Sequence, residues 1–406
     1  MVAAIDSQDQ LKCLSLYRPW VRFSGRSHLD RRQNRLAAAL SERAVVGRAH
    51  LDMTVSNPTR ANVAYDHAAL LTAVSRREAL IYEPEPFGLG DARAVVAALW
   101  GERRVDVEPA RVVLTASTSE AYSFLFKLLC DAGDAVLVPR PSYPLFEHLC
   151  RFEGVEAAPY HLRYDGAWHV DLESLRKART GRTRAIVVVS PNNPTSSYLK
   201  RDELAALAEL GLPIVSDEVF SAYAASNDPR RALSALEAGD ALVFALDGLS
   251  KYAALPQMKL AWITVGGPRA LAAEALGRLE LVCDAFLSPS AVVQHALPEL
   301  LRASAVSRDD IRRRLARNHA ALLALSVDTP ATALTYEGGW YAVVRLPAVR
   351  SEEAWVLGLL EDRDVLVQPG FFYDFDTEPF VVLSLLTEEA PFAEGVRRLT
   401  DYAAGA

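Results

Sequence analysis

Four short segments carry residues whose types and spacing suit chemistry. In Asp247-Gly-Leu-Ser-Lys251 a lysine closely follows the apolar run 241–246. The end of a buried strand is a poor place for a solvated charge, although a plain loop lysine would read the same way. In the segment 112–121 an apolar run passes into small hydroxyl residues and then a helical pattern. There Ser117-x-x-Glu120 fits a capping box. The spacing suits a well-capped helix, and the same exposed N–H groups and helix dipole would bind a phosphate. Ser190-Pro-Asn-Asn-Pro-Thr195 ends the run 185–190. Its residues suit a turn, yet open α/β sheets hold their ligands at the carboxyl ends of strands. Asp217-Glu218 ends the run 213–217. A buried or half-buried aspartate needs a cationic partner, and a protonated pyridine nitrogen would be one.

The elements that must position these groups show as alternating patterns. Apolar, β-branched runs at 112–115, 135–138, 185–190, 213–217, 241–246 and 260–265 are separated by amphipathic segments such as 119–131, 143–152 and 202–210. This predicts βα units and a mostly parallel sheet between helices. Helical stretches follow at 270–301 and 306–325, then strand patterns at 340–345, 365–367 and 380–385 among helices at 351–361 and 391–402. The expected fold is therefore α/β, a large domain plus a smaller α+β domain. The expected divisions are 1–55 (an N-terminal arm and part of the small domain), 56–300 and 301–406. No Gly/Ser linker separates them, so they must pack closely.

Composition narrows the function classes. The 406 residues are 50% hydrophobic and 23% charged, which is ordinary globular composition. A net charge of −7 argues against nucleic acid as a partner. No apolar run approaches the ~20 residues of a membrane span, and the N-terminus lacks the features of a signal peptide. Cys13, Cys130, Cys150 and Cys283 have no pairing or metal spacing and read as free thiols in a reducing cytoplasm. The eight histidines are scattered, so no metal site is expected.

Taken in order, the Ser-x-x-Glu helix start, Pro141-Ser-Tyr143, Asn192-Asn-Pro-Thr195, Asp217-Glu218 and Ser250-Lys251 resemble the class I/II aminotransferases, enzymes of fold type I that use pyridoxal 5′-phosphate. The resemblance runs from Asn57-Pro-Thr59 to the last helix. It implies that Lys251 forms an aldimine with the cofactor and later carries a proton between the substrate α-carbon and the cofactor. It implies further that Asp217 pairs with the pyridine nitrogen, so that the ring serves as an electron sink. Asn193 would donate to the ring's 3′ oxygen and Tyr143 would stack on the ring face. Thr118, Ser119 and Ser250 would hold the phosphate. Tyr82, in Tyr-Glu-Pro-Glu-Pro-Phe-Gly88, resembles the tyrosine that reaches the phosphate of a neighbouring subunit, which implies a homodimer with shared active sites. The partners implied are a small-molecule amino donor and an oxo-acid acceptor.

Three positions depart from the family. Lys259 stands where an arginine usually grips the phosphate, keeping the charge without the fork geometry. Phe220 stands where a tyrosine gives a second donor to the 3′ oxygen, and Tyr223 is a candidate replacement. Val382 stands where an arginine grips the substrate α-carboxylate. Arg60, Arg18 and Arg22 are candidate replacements, and an unusual substrate, an amine or a bulky specialised amino acid, is the preferred expectation. Lyase, oxidase or cyclase chemistry on a related fold is the alternative. A ligand-sensing domain of a transcription regulator is disfavoured, because only ~55 residues precede Asn57 and Lys251 is kept. Gly88-Leu-Gly90 lacks the preceding strand and third glycine of a dinucleotide fingerprint.

Overall fold

The computed structural model describes residues 22–28, 34–377 and 379–406. Arg18 and Cys13 lie outside them. Strand β1 (Leu51–Asp52) comes first, followed by β2 (Val112–Thr115), β3 (Ala135–Arg140), β4 (Glu156–Tyr164), β5 (Trp168–Val170), β6 (Thr183–Val189), β7 (Ile214–Asp217), β8 (Val243–Gly248) and β9 (Ala261–Gly266). Strands β2 to β9 form one sheet in the order β2-β9-β8-β7-β6-β3-β4-β5. The pairs β4/β3, β3/β6, β6/β7 and β7/β8 are parallel, while β9 runs antiparallel to β8 and β2.

Near-continuous apolar sequence suits these strands because both faces are covered. Along β6, Ala185 and Val187 turn to one face, while Ile186 and Val188 turn to the other. The first face packs on helices Thr118–Leu129 and Arg269–Phe286 through Ala121, Leu125, Ala272 and Leu279. Each fully buried aliphatic side chain contributes about 1.5–3 kcal/mol, so a slip of register by one residue would be prohibitive.

Strands β4 and β5 have no counterpart among the apolar runs. Residues 156–160 pair with no strand on their outer side among the described residues, since β5 covers only Leu162–Tyr164 and His161 bonds to Asp171 and Ser174. That is why Glu156 and Pro159 are tolerated there, whereas Arg163, opposite His169 of β5, keeps its side chain exposed and paired with Asp171. The stretch 270–301 also divides, into helices Arg269–Phe286 and Ala291–Ala303. Leu287 takes a left-handed φ of 68° and Pro289 follows, so the first helix cannot continue.

The second unit contains β10 (Thr332–Ala333), β11 (Tyr341–Arg345), β12 (Val365–Leu366), β13 (Gln368–Pro369) and β14 (Phe380–Ser384). Its antiparallel sheet has the order β10-β11-β14-β13. β1 pairs with β12, so the residues before the large sheet join this unit. The loop before β11 lies against the large unit: Gly339 N–H donates to the Tyr223 carbonyl at 2.9 Å, and Ala225 N–H donates to that of Glu337 at 2.9 Å. Gly338 permits this approach, since a Cβ there would stand 2.6 Å from the Tyr223 carbonyl oxygen and 2.8 Å from the Tyr198 ring. Gly338→Ala should therefore cost about 1–3 kcal/mol. Gly277→Ala, on an open helical position, should instead gain about 1 kcal/mol. Urea denaturation of the two variants checks the contrast, and equal effects would contradict it.

Candidate active site

Parallel pairing sets the site's geometry. Val189 of β6 lies opposite Asp217 of β7, and Asp217 lies opposite Leu246 of β8. The three strands thus end at one level. The segment 190–195, the Asp217-Glu218 pair and the turn into helix Leu249–Tyr252 follow side by side. A cavity of about 290 Å³ opens at this edge, and Thr118, Ser119, Tyr143, Asn193, Asp217, Ser250 and Lys251 all line it. Ser117 caps helix Thr118–Leu129 by accepting from Glu120 N–H at 3.1 Å, while Glu120 accepts from Ala116 N–H at 2.6 Å. Thr118 and Ser119 are the first helical residues, where N–H groups have no partner within the helix.

The two adjacent asparagines divide their tasks. Asn192 is saturated by the protein: its amide donates to the Pro141 carbonyl at 3.0 Å and to Thr195 at 2.9 Å, and it accepts from Ser142 at 3.1 Å. It thereby holds the turn that carries Tyr143. The buried side-chain oxygen of Asn193 has no protein partner. A buried amide that lines a cavity with an unused atom is costly unless a ligand completes it.

Asp217 accepts from Val219 N–H at 3.3 Å and from the Tyr122 hydroxyl at 3.2 Å. Burial nevertheless pushes its carboxyl up to about 6. Lys251 is deeply set, and desolvation lowers its amine while Asp217 opposes that shift. Its Nζ lies 5.7 Å from the centre of the Trp340 ring and 5.9 Å from that of Phe220. The donor set fits a flat cationic heteroaromatic ring with an anionic group. An amine, a carboxylate, an unsatisfied amide and a helix N-terminus converge on one space.

Comparison with known proteins places the whole chain. The profile of the family "Aminotransferase class I and II" matches residues 53–390. The chain belongs to the class I and II aminotransferases. An alanine aminotransferase of Mycobacterium bovis is 26% identical over 330 residues, spanning 78% of this chain and 76% of its own length. An S-alkyl-thiohydroximate lyase of Arabidopsis thaliana is 28% identical over 199 residues, 48% of this chain and 43% of its own. The solved alanine aminotransferase of Pyrococcus furiosus shares the fold with a TM-score of 0.83 at 21% identity, covering 95% of this chain and 100% of that one.

Two of the expected site residues of this aminotransferase stand outside this cavity, Tyr82 being the one expected to reach a neighbouring subunit. Lys259 is exposed and does not line the cavity, and Tyr82 is 73% exposed and borders a separate cleft with Pro84 and Leu287. Tyr223 is committed elsewhere too, since its hydroxyl donates to the Lys251 carbonyl at 2.7 Å. Phe220 does line the cavity, edge-on to Trp340. Sequence reasoning missed Ser56 and Tyr341, which both stand on the cavity wall. Their segments, one beside Asn57-Pro-Thr59 and one beside Gly338-Gly339, held the only local signal. It also missed Arg103, whose guanidinium lies 2.7 Å from Glu218 and 3.7 Å from Asp247. Removing Arg103 would leave Glu218 buried without a counter-charge, at a cost of about 3–5 kcal/mol.

Burial pushes the Asp247 carboxyl up to about 8 against the pull of Arg103. The folded value exceeds the ordinary 3.8, so the native state holds an extra proton between the two. Stability must then fall as pH rises through that window. Asp247→Asn, neutral throughout, should flatten the decline. Urea midpoints taken at about pH 5 and about pH 8 should differ less in the variant than in the parent. Equal differences would show Asp247 to be ionised across the window.

Proposed function

We propose that the chain holds pyridoxal 5′-phosphate in this cavity and moves an amino group between an amino compound and a 2-oxo acid, with Lys251 as the covalent anchor. The observation that carries the reading is the convergence of the Lys251 amine, the Asp217 carboxylate and the Asn193 side chain, whose amide N–H would donate to the ring, on one cavity. When bound, the cofactor supplies an electron sink for the charge left as the substrate's proton departs. Lys251 Nζ takes that proton from the reacting carbon and returns it one position along. Desolvation lowers the amine's proton affinity, which suits it to act as a base near neutral pH. Asp217 holds positive charge on the ring nitrogen, Asn193 orients the ring through its 3′ oxygen, and Tyr143 covers one face. Thr118, Ser119 and Ser250 hold the phosphate, and Lys259 supplies a more distant positive charge from the surface. Tyr82, exposed beside Leu80 and Ile81, supports a homodimer in which it reaches the phosphate of the other copy. The unpaired thiols Cys130, Cys150 and Cys283 are in keeping with a cytoplasmic enzyme.

The substrate reading rests on Val382. It is buried in the middle of β14, paired with Val343 and Gln368. Among the described residues, Asp217 and Lys251 are the charged groups on the cavity wall, while Arg60 and Arg22 are exposed and do not line it. A carboxylate left unpaired in a dry pocket is costly. This supports a donor that presents no carboxylate at that place, an amine or a bulky specialised amino acid, over glutamate or alanine.

Lys251→Ala should abolish turnover while leaving the fold intact. Borohydride reduction of the parent followed by peptide mapping should put the label on Lys251, and label on another lysine would overturn the anchor. Half-reactions of the holoenzyme with a panel of amino acids and amines, followed by cofactor absorbance, test the substrate reading. Robust conversion by glutamate or alanine would refute it.

A further inference from the structure

One helix touches both ends of the cavity. The residues that begin Thr118–Leu129 line it, and Tyr122, one turn further on, sends its hydroxyl to Asp217. Tyr122 is buried, edge-on to Phe146 with ring centres 5.3 Å apart and tilted against Phe126 at 5.9 Å. Phe146 itself lines the cavity. A buried tyrosine needs an acceptor, and a packing role alone would be met by any carbonyl within reach. Here the acceptor is the site carboxylate. The O–H binds Oδ2 and the Val219 N–H binds Oδ1, so each oxygen has one donor and the plane of the carboxylate is fixed. Among the described residues Tyr122 is the only side chain that donates to Asp217.

We propose that Tyr122 is a positioning residue that fixes the orientation of Asp217 and holds it ionised toward the ring nitrogen of the cofactor. The inference rests on the function proposed above. Its physical basis is preorganisation: a carboxylate aimed in advance at a cationic centre needs no rearrangement when charge develops there. A hydrogen bond to the charged form favours that form. Without the Tyr122 hydroxyl, Asp217 attracts a proton more strongly, the shared proton shifts from the ring nitrogen toward the carboxylate, and the electron sink weakens. The helix adds a further constraint. It rises about 1.5 Å per residue, so the phosphate end and the nitrogen end are set by one rigid body only a turn apart.

The test is the holoenzyme of Tyr122→Phe, reconstituted with cofactor labelled by nitrogen-15 in the ring. The expected result is a ring-nitrogen resonance moved toward the neutral form, with kcat reduced roughly tenfold, as for a lost bond to a charged group, and KM changed less than twofold. The apoenzyme should melt within a few degrees of the parent. An unchanged resonance, whatever happens to melting, would assign Tyr122 to packing alone and overturn the proposal. A second variant, Tyr122→Leu, removes the ring as well. If it moves the resonance and Tyr122→Phe does not, packing against Phe146 holds Asp217 and the proposal falls. A parent enzyme that binds no labelled cofactor would overturn the proposed function itself, an outcome distinct from these.

Discussion

Three carboxyl groups gather at the carboxyl edge of the large sheet, Glu218 and Asp247 buried and Asp217 half-buried on the cavity wall, and the rest of the molecule is arranged around keeping them there. Glu218 is the best satisfied. It takes Arg103 at 2.7 Å, the hydroxyls of Ser216 at 3.0 Å and Ser234 at 2.8 Å, and Ala235 N–H at 2.9 Å. Arg103 follows directly on helix Gly90–Glu102, stacks 4.2 Å from the Trp100 ring and also reaches toward Asp247. One guanidinium therefore links the ends of β7 and β8. Lys251 follows Asp247 by four residues and lines the same cavity as Asp217. Asp217 takes no such bond from Arg103 and faces the cavity with one donor, Tyr122 or Val219, on each oxygen.

The large sheet was legible because strands buried on both faces must be apolar throughout, and six such runs stood out. Strands β4 and β5 were not, since a partly open strand can carry Glu156 and Pro159 without cost. The site motifs were legible for a related reason. Turns at strand ends need Asn, Pro, Ser and Gly for backbone reasons, so their spacing survives as a readable signature. Nothing local separates Asn192 from Asn193, although one is saturated by protein and the other is not. Arg103 and Tyr122 were hidden more deeply, because an arginine after a helix and a tyrosine within one have many ordinary uses. Their partners lie 115 and 95 residues away, and only the folded chain brings them together.

The smaller unit contributes to the same cavity by a different route. Tyr341 begins β11, and Ser56 follows shortly after β1, which pairs with β12. The buried Arg314 donates to the carbonyls of Ala61, Asn62 and Leu386, and Asn318 donates to those of Leu385 and Thr387. These bonds fasten the segment after Ser56 to the end of β14. Lys200 and Glu337 form a further ion pair across the loop before β11. The wall that faces a substrate is thus braced by backbone carbonyls and buried charges, and its side chains are free to vary.

That separation bears on how such a protein can change over time. The groups proposed to hold the cofactor sit on strand ends of the large sheet, whereas Val382 sits on β14 of the small one. A β-branched residue is at home in the middle of an antiparallel strand, so valine there is compatible with the strand's own stability. Preference for one amino donor over another can therefore drift, through exchanges at Tyr341 of β11 and in the segment near Ser56, while the carboxylates of the large sheet are left undisturbed. Lineages of this architecture can accumulate new selectivities without first sacrificing the ancestral reaction chemistry.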